Sequence, residues 1–287
     1  MTFDAKGGHK AHMLNVVSKA QRTAYSIGSH FHVRGGPSAF VAAKLVCAVL
    51  IPQITYSLQI LELNQQQQQN LDQIIARPLR KALGLRRSTS ALRVMWEFGV
   101  PPIRPSLAKI YLQSIFRSYC LRETKLANLP YHDFVAYAND PVPTKHRTLP
   151  HFAFDLLQRH HLQLPDLNKY LIDYVARKEW LQWWAANARH SAQLLKPEPG
   201  PARYLRIDHP TAARARARLR LRVSPTRYFL HKINKISSPN CTYCDAVDTE
   251  AHVLLFCRST VALRTECRSR LMALPAVPAR HDRLARS

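Results

Sequence analysis

Acidic residues are scarce in this sequence. Only 18 Asp and Glu stand against 42 Lys and Arg in 287 residues, for a formal charge of +24. A surplus of that size argues for a polyanionic partner, either nucleic acid or an anionic membrane surface. Long apolar runs are also lacking. The longest, AFVAAKLVCAVLI at 39–51, is interrupted by Lys44 and is shorter than a bilayer crossing requires, so no membrane insertion is expected. The N-terminal MTFDAKGGHK has no apolar h-region, so no secretory signal is expected. The chain is then expected inside the cell, in a reducing compartment where disulfides do not persist. Its six cysteines are therefore read as buried thiols or metal ligands. Neither a strand-rich region nor an internal repeat is evident.

What is present reads as mainly helical, in a chain long enough for at least one sizeable core and with room for two domains. Met13, Val16, Val17, Ala20, Ala24 and Ile27 recur at intervals of three and four, one face of a helix from His9 to Ile27. After a Gly-Gly-Pro break, Ser38 caps an expected apolar helix from Phe40 to Ile51, stopped by Pro52. The tract NQQQQQN in 61–85 reads as a solvated helix face and not a prion-like segment, because Leu71, Ile74, Ile75, Leu79 and Leu83 continue the spacing after it. A fourth helix is expected from Ser106 to about Glu123, with Leu107, Ile110, Tyr111, Ile115 and Tyr119 inward. Pro130, Pro141, Pro143 and Pro150 then punctuate what reads as an irregular connection. Within 166–195, Trp180, Trp183 and Trp184 lie among cations. Burial in an amphipathic helix is the reading taken, with base stacking as its alternative. These boundaries give three segments: a helical bundle at 1–125, a connection with an aromatic helix at 126–202, and a basic C-terminal region at 203–287.

Arg214, Arg216, Arg218, Arg220 and Arg222 alternate with Ala or Leu. Alternation suggests a strand, but Ala, Arg and Leu are strong helix formers and Pro210 suits a first turn, so a helix is expected. Five guanidiniums within nine residues repel one another unless anions intervene. From Pro201 onward there are 17 basic and 6 acidic residues, which favours nucleic acid over a merely solvated face. Arg227, Lys232 and Lys235 extend the same candidate surface.

The stretch CTYCDAVDTEAHVLLFC at 241–257 holds three cysteines and a histidine in the spacing Cys-x2-Cys-x7-His-x4-Cys. Cys241, Cys244, His252 and Cys257 offer a tetrahedral ligand set for one structural Zn2+, with no open coordination position for hydrolysis. A disulfide-linked cluster or coincidence remain as alternatives. Asp248 or Thr249 is expected to cap a short helix carrying His252. Five α-helical steps leave Cys257 about 140° away from the histidine's face, so the chain should leave the helix before Cys257. Val253 to Phe256 are expected to supply the local apolar packing. Cys47 and Cys120 read as buried thiols, and Cys267 as a weaker substitute ligand.

Residues 218–257 resemble the C-terminal zinc-binding region of non-LTR retrotransposon reverse transcriptases. The likeness lies in Arg218, Leu219 and Arg220; Tyr228, Leu230, His231, Lys232 and Ile233; Ser238 and Pro239; and Glu250 and Leu254 around the four ligands. LIPQITYSLQIL at 50–61 and RPLRKALGLRRSTSALRVMWEFGVPPI at 77–103 are similar to that family's thumb, with Ser57 where the family often has Gly and with Phe98 and Val100 around Gly99. The resemblance implies a helical, thumb-like bundle followed by a small zinc knuckle that binds RNA or DNA. It also implies a polymerase centre of paired aspartates, yet no Asp-Asp pair occurs in this sequence, and no catalytic residue is assigned. The expectation is a non-enzymatic segment with no small-molecule substrate, for which basic runs make nuclear residence plausible. Two alternatives stand beside it: a zinc-dependent protein-interaction module, and one part of an active reverse transcriptase whose N-terminal half lies outside this chain.

Overall fold

A computed structural model describes residues 10–31, 37–58, 61, 63–121, 129–139, 149–187 and 198–273. The chain divides into two compact units between Leu221 and Arg222. Helix dominates both. Among the described residues no strand forms, only an isolated bridge between Asn240 and Val247.

The first unit is built around α4 (Gln65–Ala82), against which α1 (Lys10–Ser29) and α5 (Ala91–Phe98) pack. Leu71, Ile75 and Leu79, one helical step of four apart, are fully buried. The glutamine tract forms the largely solvent-exposed first turns of α4. Asn64 and Gln67 close a reciprocal capping box there, each side chain accepting the other's backbone N–H at 2.9 Å.

Pro52 does not stop the second helix, contrary to expectation. Helix α2 (Ala39–Leu45) runs through a π turn at Val46–Leu50 into α3 (Ile51–Leu58). In that turn the Ile51 N–H bonds Val46 O, five residues back, and the wider ring accommodates the proline that follows. The continuous span Ala39–Leu58 is 20 residues with mean hydropathy 1.7, long and apolar enough by those criteria to cross a membrane. In the fold, Ala42, Val46, Leu50, Ile54 and Leu58 of this span are fully buried in the unit's core.

Helix α6 (Ile103–Cys120) starts three residues before the expected Ser106, because buried Asp72 accepts the Ile103 N–H at 2.8 Å and holds that N-terminus. Leu107, Tyr111 and Ile115 point inward as expected, whereas Tyr119 is exposed. The stretch read as irregular contains two helices, α7 (Leu129–Asn139) and α8 (Leu149–Arg159). Pro130 and Pro150 were read as breakers, yet each occupies a first turn, where the missing N–H has no partner to lose. Pro141 and Pro143 lie outside the described residues.

Helix α9 (Lys169–Asn187) lies against α6. Its Trp184 stacks on Trp96 of α5 with centroids 4.2 Å apart and planes 1° from parallel, and Trp180 meets Trp96 edge-on at 5.7 Å. Packing thus explains these two tryptophans, while Tyr170 and Tyr174 are exposed. Buried Glu179 accepts two bonds from Arg159, at 2.9 and 3.0 Å, and lies 2.9 Å from His160 Nε2, tying α9 to the end of α8. Gly99 ends α5 at φ 68°, and a Cβ there would overlap the Gly200–Pro201 backbone. The short α10 (Tyr204–Ile207) and the arginine-rich α11 (Pro210–Leu221) complete the first unit.

Candidate metal centre

In the second unit the ligand candidates are placed by three local devices. The first is the turn at Cys241–Cys244. Asp245 adopts φ 53°, a left-handed conformation that Asp tolerates better than most residues. The Cys241 N–H bonds Ala246 O at 2.8 Å and the Ala246 N–H bonds Cys244 O at 2.7 Å, folding both thiols to one side. The Tyr243 N–H points at Cys241 Sγ from 3.5 Å.

The second device is Asp248. Its N–H bonds Pro239 O at 3.0 Å, and its carboxylate accepts the Arg227 N–H at 2.7 Å. The Tyr228 N–H bonds its carbonyl at 3.2 Å. This fastens the start of α12 (Arg227–Lys232) to the cysteine turn, while Thr226 caps that helix by accepting the Phe229 N–H at 3.3 Å. Sequence reasoning offered Asp248 as a helix cap and missed this role, because no spacing rule links residues 227 and 248.

The third is the His252–Phe256 segment, which Thr249 starts by accepting the His252 N–H at 3.1 Å. It is a π turn. The Cys257 N–H bonds His252 O at 2.8 Å, so the residue five positions on lies beside the histidine and not 140° away. The chain stays helical up to Cys257 and becomes extended there, at ψ 132°, later than expected. The turn's apolar residues do not supply local packing, as His252 alone is buried while Leu254, Leu255 and Phe256 are 49%, 61% and 70% exposed.

These devices bring one donor atom each from Cys241, Cys244, His252 and Cys257 within 4.8 Å of one another. Cys241 and Cys257 Sγ are 3.7 Å apart, Cys244 and Cys257 Sγ 4.0 Å, and Cys244 Sγ lies 3.2 Å from His252 Nε2. A tetrahedron with metal–sulfur bonds of about 2.3 Å and a metal–nitrogen bond of about 2.0 Å has edges of about 3.8 and 3.5 Å. These three separations lie within about 0.3 Å of those edges, all four donor atoms lie within 4.8 Å of one another, and the four residues could bind one metal ion. The Ser259 hydroxyl, 3.0 Å from Cys257 Sγ, pushes that thiol down to about 6, with burial opposing. Cys241 is pushed up: the Tyr243 N–H works against the rise, and burial and its bonds with the other two thiols outweigh it.

No protein-family model, curated protein or solved structure matches this chain. The other cysteines sit apart from the cluster. Cys267 is exposed on α13 (Val261–Met272), and Cys47 and Cys120 are exposed where buried thiols were expected.

The eight candidate phosphate-binding cations are divided between the units. Along α11, Ala213, Ala217 and Leu221 form a buried stripe, and the arginines flank it as two pairs four residues apart. On one flank Arg214 Nε donates to Ala82 O at 3.3 Å and Arg218 Nη2 to Gly84 O at 3.1 Å, placing cations on the C-terminal carbonyls of α4. On the other, Arg220 grips buried Glu97 through Nε at 2.5 Å and Nη2 at 3.3 Å, and Arg216 lies 3.3 Å from Asp208. The guanidiniums of Arg216 and Arg220 also lie over the Tyr204 ring, 5.6 and 5.9 Å respectively from its centroid. In the second unit Arg222, Lys232 and Lys235 are exposed and Arg227 is half-buried.

Proposed function

We propose that this chain is a nucleic-acid-binding segment of the non-LTR reverse transcriptase type, a thumb-like helical bundle joined to a zinc-binding knuckle, without polymerase activity of its own. The observation that carries it is the four-donor cluster, whose spacing suits a tetrahedral ion. Three thiolates and an imidazole favour Zn2+ over the harder divalent cations. With every position filled by protein, the ion's chemistry is structural: it crosslinks the cysteine turn to the π turn and Cys257. The resemblance of residues 218–257 and 77–103 to the family, and the charge of +24, supply the nucleic-acid part. In this reading Arg222, Lys232 and Lys235 make the second unit's phosphate contacts, with Arg227 beside them. Arg214, Arg216, Arg218 and Arg220 serve first as clamps on their own unit.

The test is the affinity of the chain for a short RNA over a salt series, zinc-loaded and after chelation. A steep log–log slope that chelation weakens supports a zinc-held phosphate-binding surface. A flat slope with weak binding removes the nucleic-acid reading. The second reading, a protein-interaction module, is favoured by exposed Leu254, Leu255 and Phe256 beside the ligands. Under it, partners captured from extract survive nuclease treatment.

A further inference from the structure

The first unit carries a second concentration of positive charge, unrelated to the alternating arginines. A groove of about 800 Å³ between α1 and α4 is lined by Arg77, Arg80, Lys81 and Arg87, with Gln21 and Gln73 beside them. Among the described residues no carboxylate lines it, and among them none is paired with any of these four cations. Arg77 and Lys81 are four residues apart on α4, so they project from one face about 6 Å apart along the axis.

Arg80 is only 6% exposed. Its guanidinium donates to Thr89 O at 2.8 Å and to Gln73 Oε1 at 2.7 Å, both neutral acceptors. Burial pushes its pKa down, although an arginine stays charged at any ordinary pH. A desolvated cation without a counterion, facing a groove that three exposed cations share, is costly unless an anion enters. Tyr25 stands at the edge, 64% exposed, with Arg77 and Lys81 at 6.0 and 5.8 Å from its ring centroid. An exposed aromatic beside a cationic, acid-free groove is the combination used to hold single strands, cations taking the phosphates and the ring taking a base. Amide side chains such as Gln21 and Gln73 add neutral donors for phosphate and sugar oxygens.

We infer that the α1–α4 groove is a binding site for the phosphodiester backbone of single-stranded nucleic acid, with Arg77, Lys81 and Arg87 contacting phosphates and Arg80 fixing the local positive potential. This rests on the nucleic-acid reading above and moves the first unit's contacts from α11 to α4.

The test compares the full chain with R77Q/R87Q, with the charge-retaining R77K/R87K, and with K232Q/K235Q in the second unit. All these positions are exposed, so folding is retained. The probes are a 20-nucleotide oligouridylate and inorganic tripolyphosphate. The log–log salt slope for the oligonucleotide should fall by about 1.4 in R77Q/R87Q, about 0.7 for each lost phosphate contact, and recover in R77K/R87K. A slope unchanged in R77Q/R87Q but reduced in K232Q/K235Q overturns the groove while leaving the proposed function standing. A loss seen only with tripolyphosphate assigns the same cations to a small polyphosphate and overturns the backbone site. If the unmodified chain fails to bind the oligonucleotide, the proposed function and this inference fall together.

Discussion

Replacing Arg220 tests whether the alternating arginines are structural. Glu97 is buried, with its side chain 5% exposed, and Arg220 is its bidentate partner with 27% exposure. R220M keeps much of the stem but removes the carboxylate's ion-pair partner. Stranding one member of a buried pair costs about 3–5 kcal/mol, and water reaching Arg220 places this case near about 3. E97Q/R220M removes both charges and should recover most of the loss. Urea unfolding followed by tryptophan fluorescence reads this well, because all four tryptophans lie between residues 96 and 184, within the first unit. A loss near 3 kcal/mol lowers the urea midpoint by about 1.5 M at a slope of about 2 kcal/mol per molar. A midpoint for R220M within about 0.3 M of the unmodified chain would refute the clamp and return Arg220 to the solvated, ligand-binding set.

Cys244→Ser should abolish zinc uptake measured by metal analysis and unfold the second unit, since structural zinc sites contribute on the order of 10 kcal/mol. Cys267→Ser should leave one zinc per chain, and lost zinc there would put Cys267 among the ligands. For Asp72, burial raises the carboxyl from the ordinary 3.8 to about 7, the Ile103 N–H opposing. The folded state therefore holds a proton that the unfolded state releases, so stability from this group is full below about 4 and is lost as pH rises toward 7. D72N, which still accepts the Ile103 N–H, should flatten that fall, whose upper bound is roughly 4 kcal/mol. An unaltered stability profile between pH 4 and 7 excludes Asp72 as its source. Gly99→Ala should destabilise by at least about 2 kcal/mol, through a left-handed φ and overlap with the Gly200–Pro201 backbone. Thermal melting unchanged in that variant would show that the 199–201 segment yields freely.

The helical character and the close grouping of three cysteines and a histidine were legible because each rests on local spacing. Leu71, Ile75 and Leu79 announce a buried face, and Cys-x2-Cys announces a turn with two thiols on one side. Prolines misled in both directions. Pro52 reads as a stop, but one extra residue in the preceding turn lets the helix pass it. Pro130 and Pro150 read as breakers, but the same lost N–H suits a helix start. The arginines of α11 misled because composition counts charges without their partners. Glu97, Ala82 and Gly84 lie more than a hundred positions away in sequence, and nothing in the local pattern points to them. The α1–α4 groove escaped for the same reason, since Gln21, Arg77 and Arg87 converge only once α1 packs on α4.

The π turn between His252 and Cys257 bears on how such a ligand set tolerates insertion and deletion. A π turn is an α turn with one residue added, and the added residue is among the exposed ones. Deleting one of Leu254, Leu255 or Phe256 would leave an ordinary α turn that still sets the cysteine above the histidine, and deleting two would leave it about 60° away on the same face, whereas deleting all three would carry it around to the far side. The interval between these two candidate ligands is therefore a choice of turn with more than one permitted length, and a search pattern that insists on four intervening residues would pass over chains that close the same cluster with three.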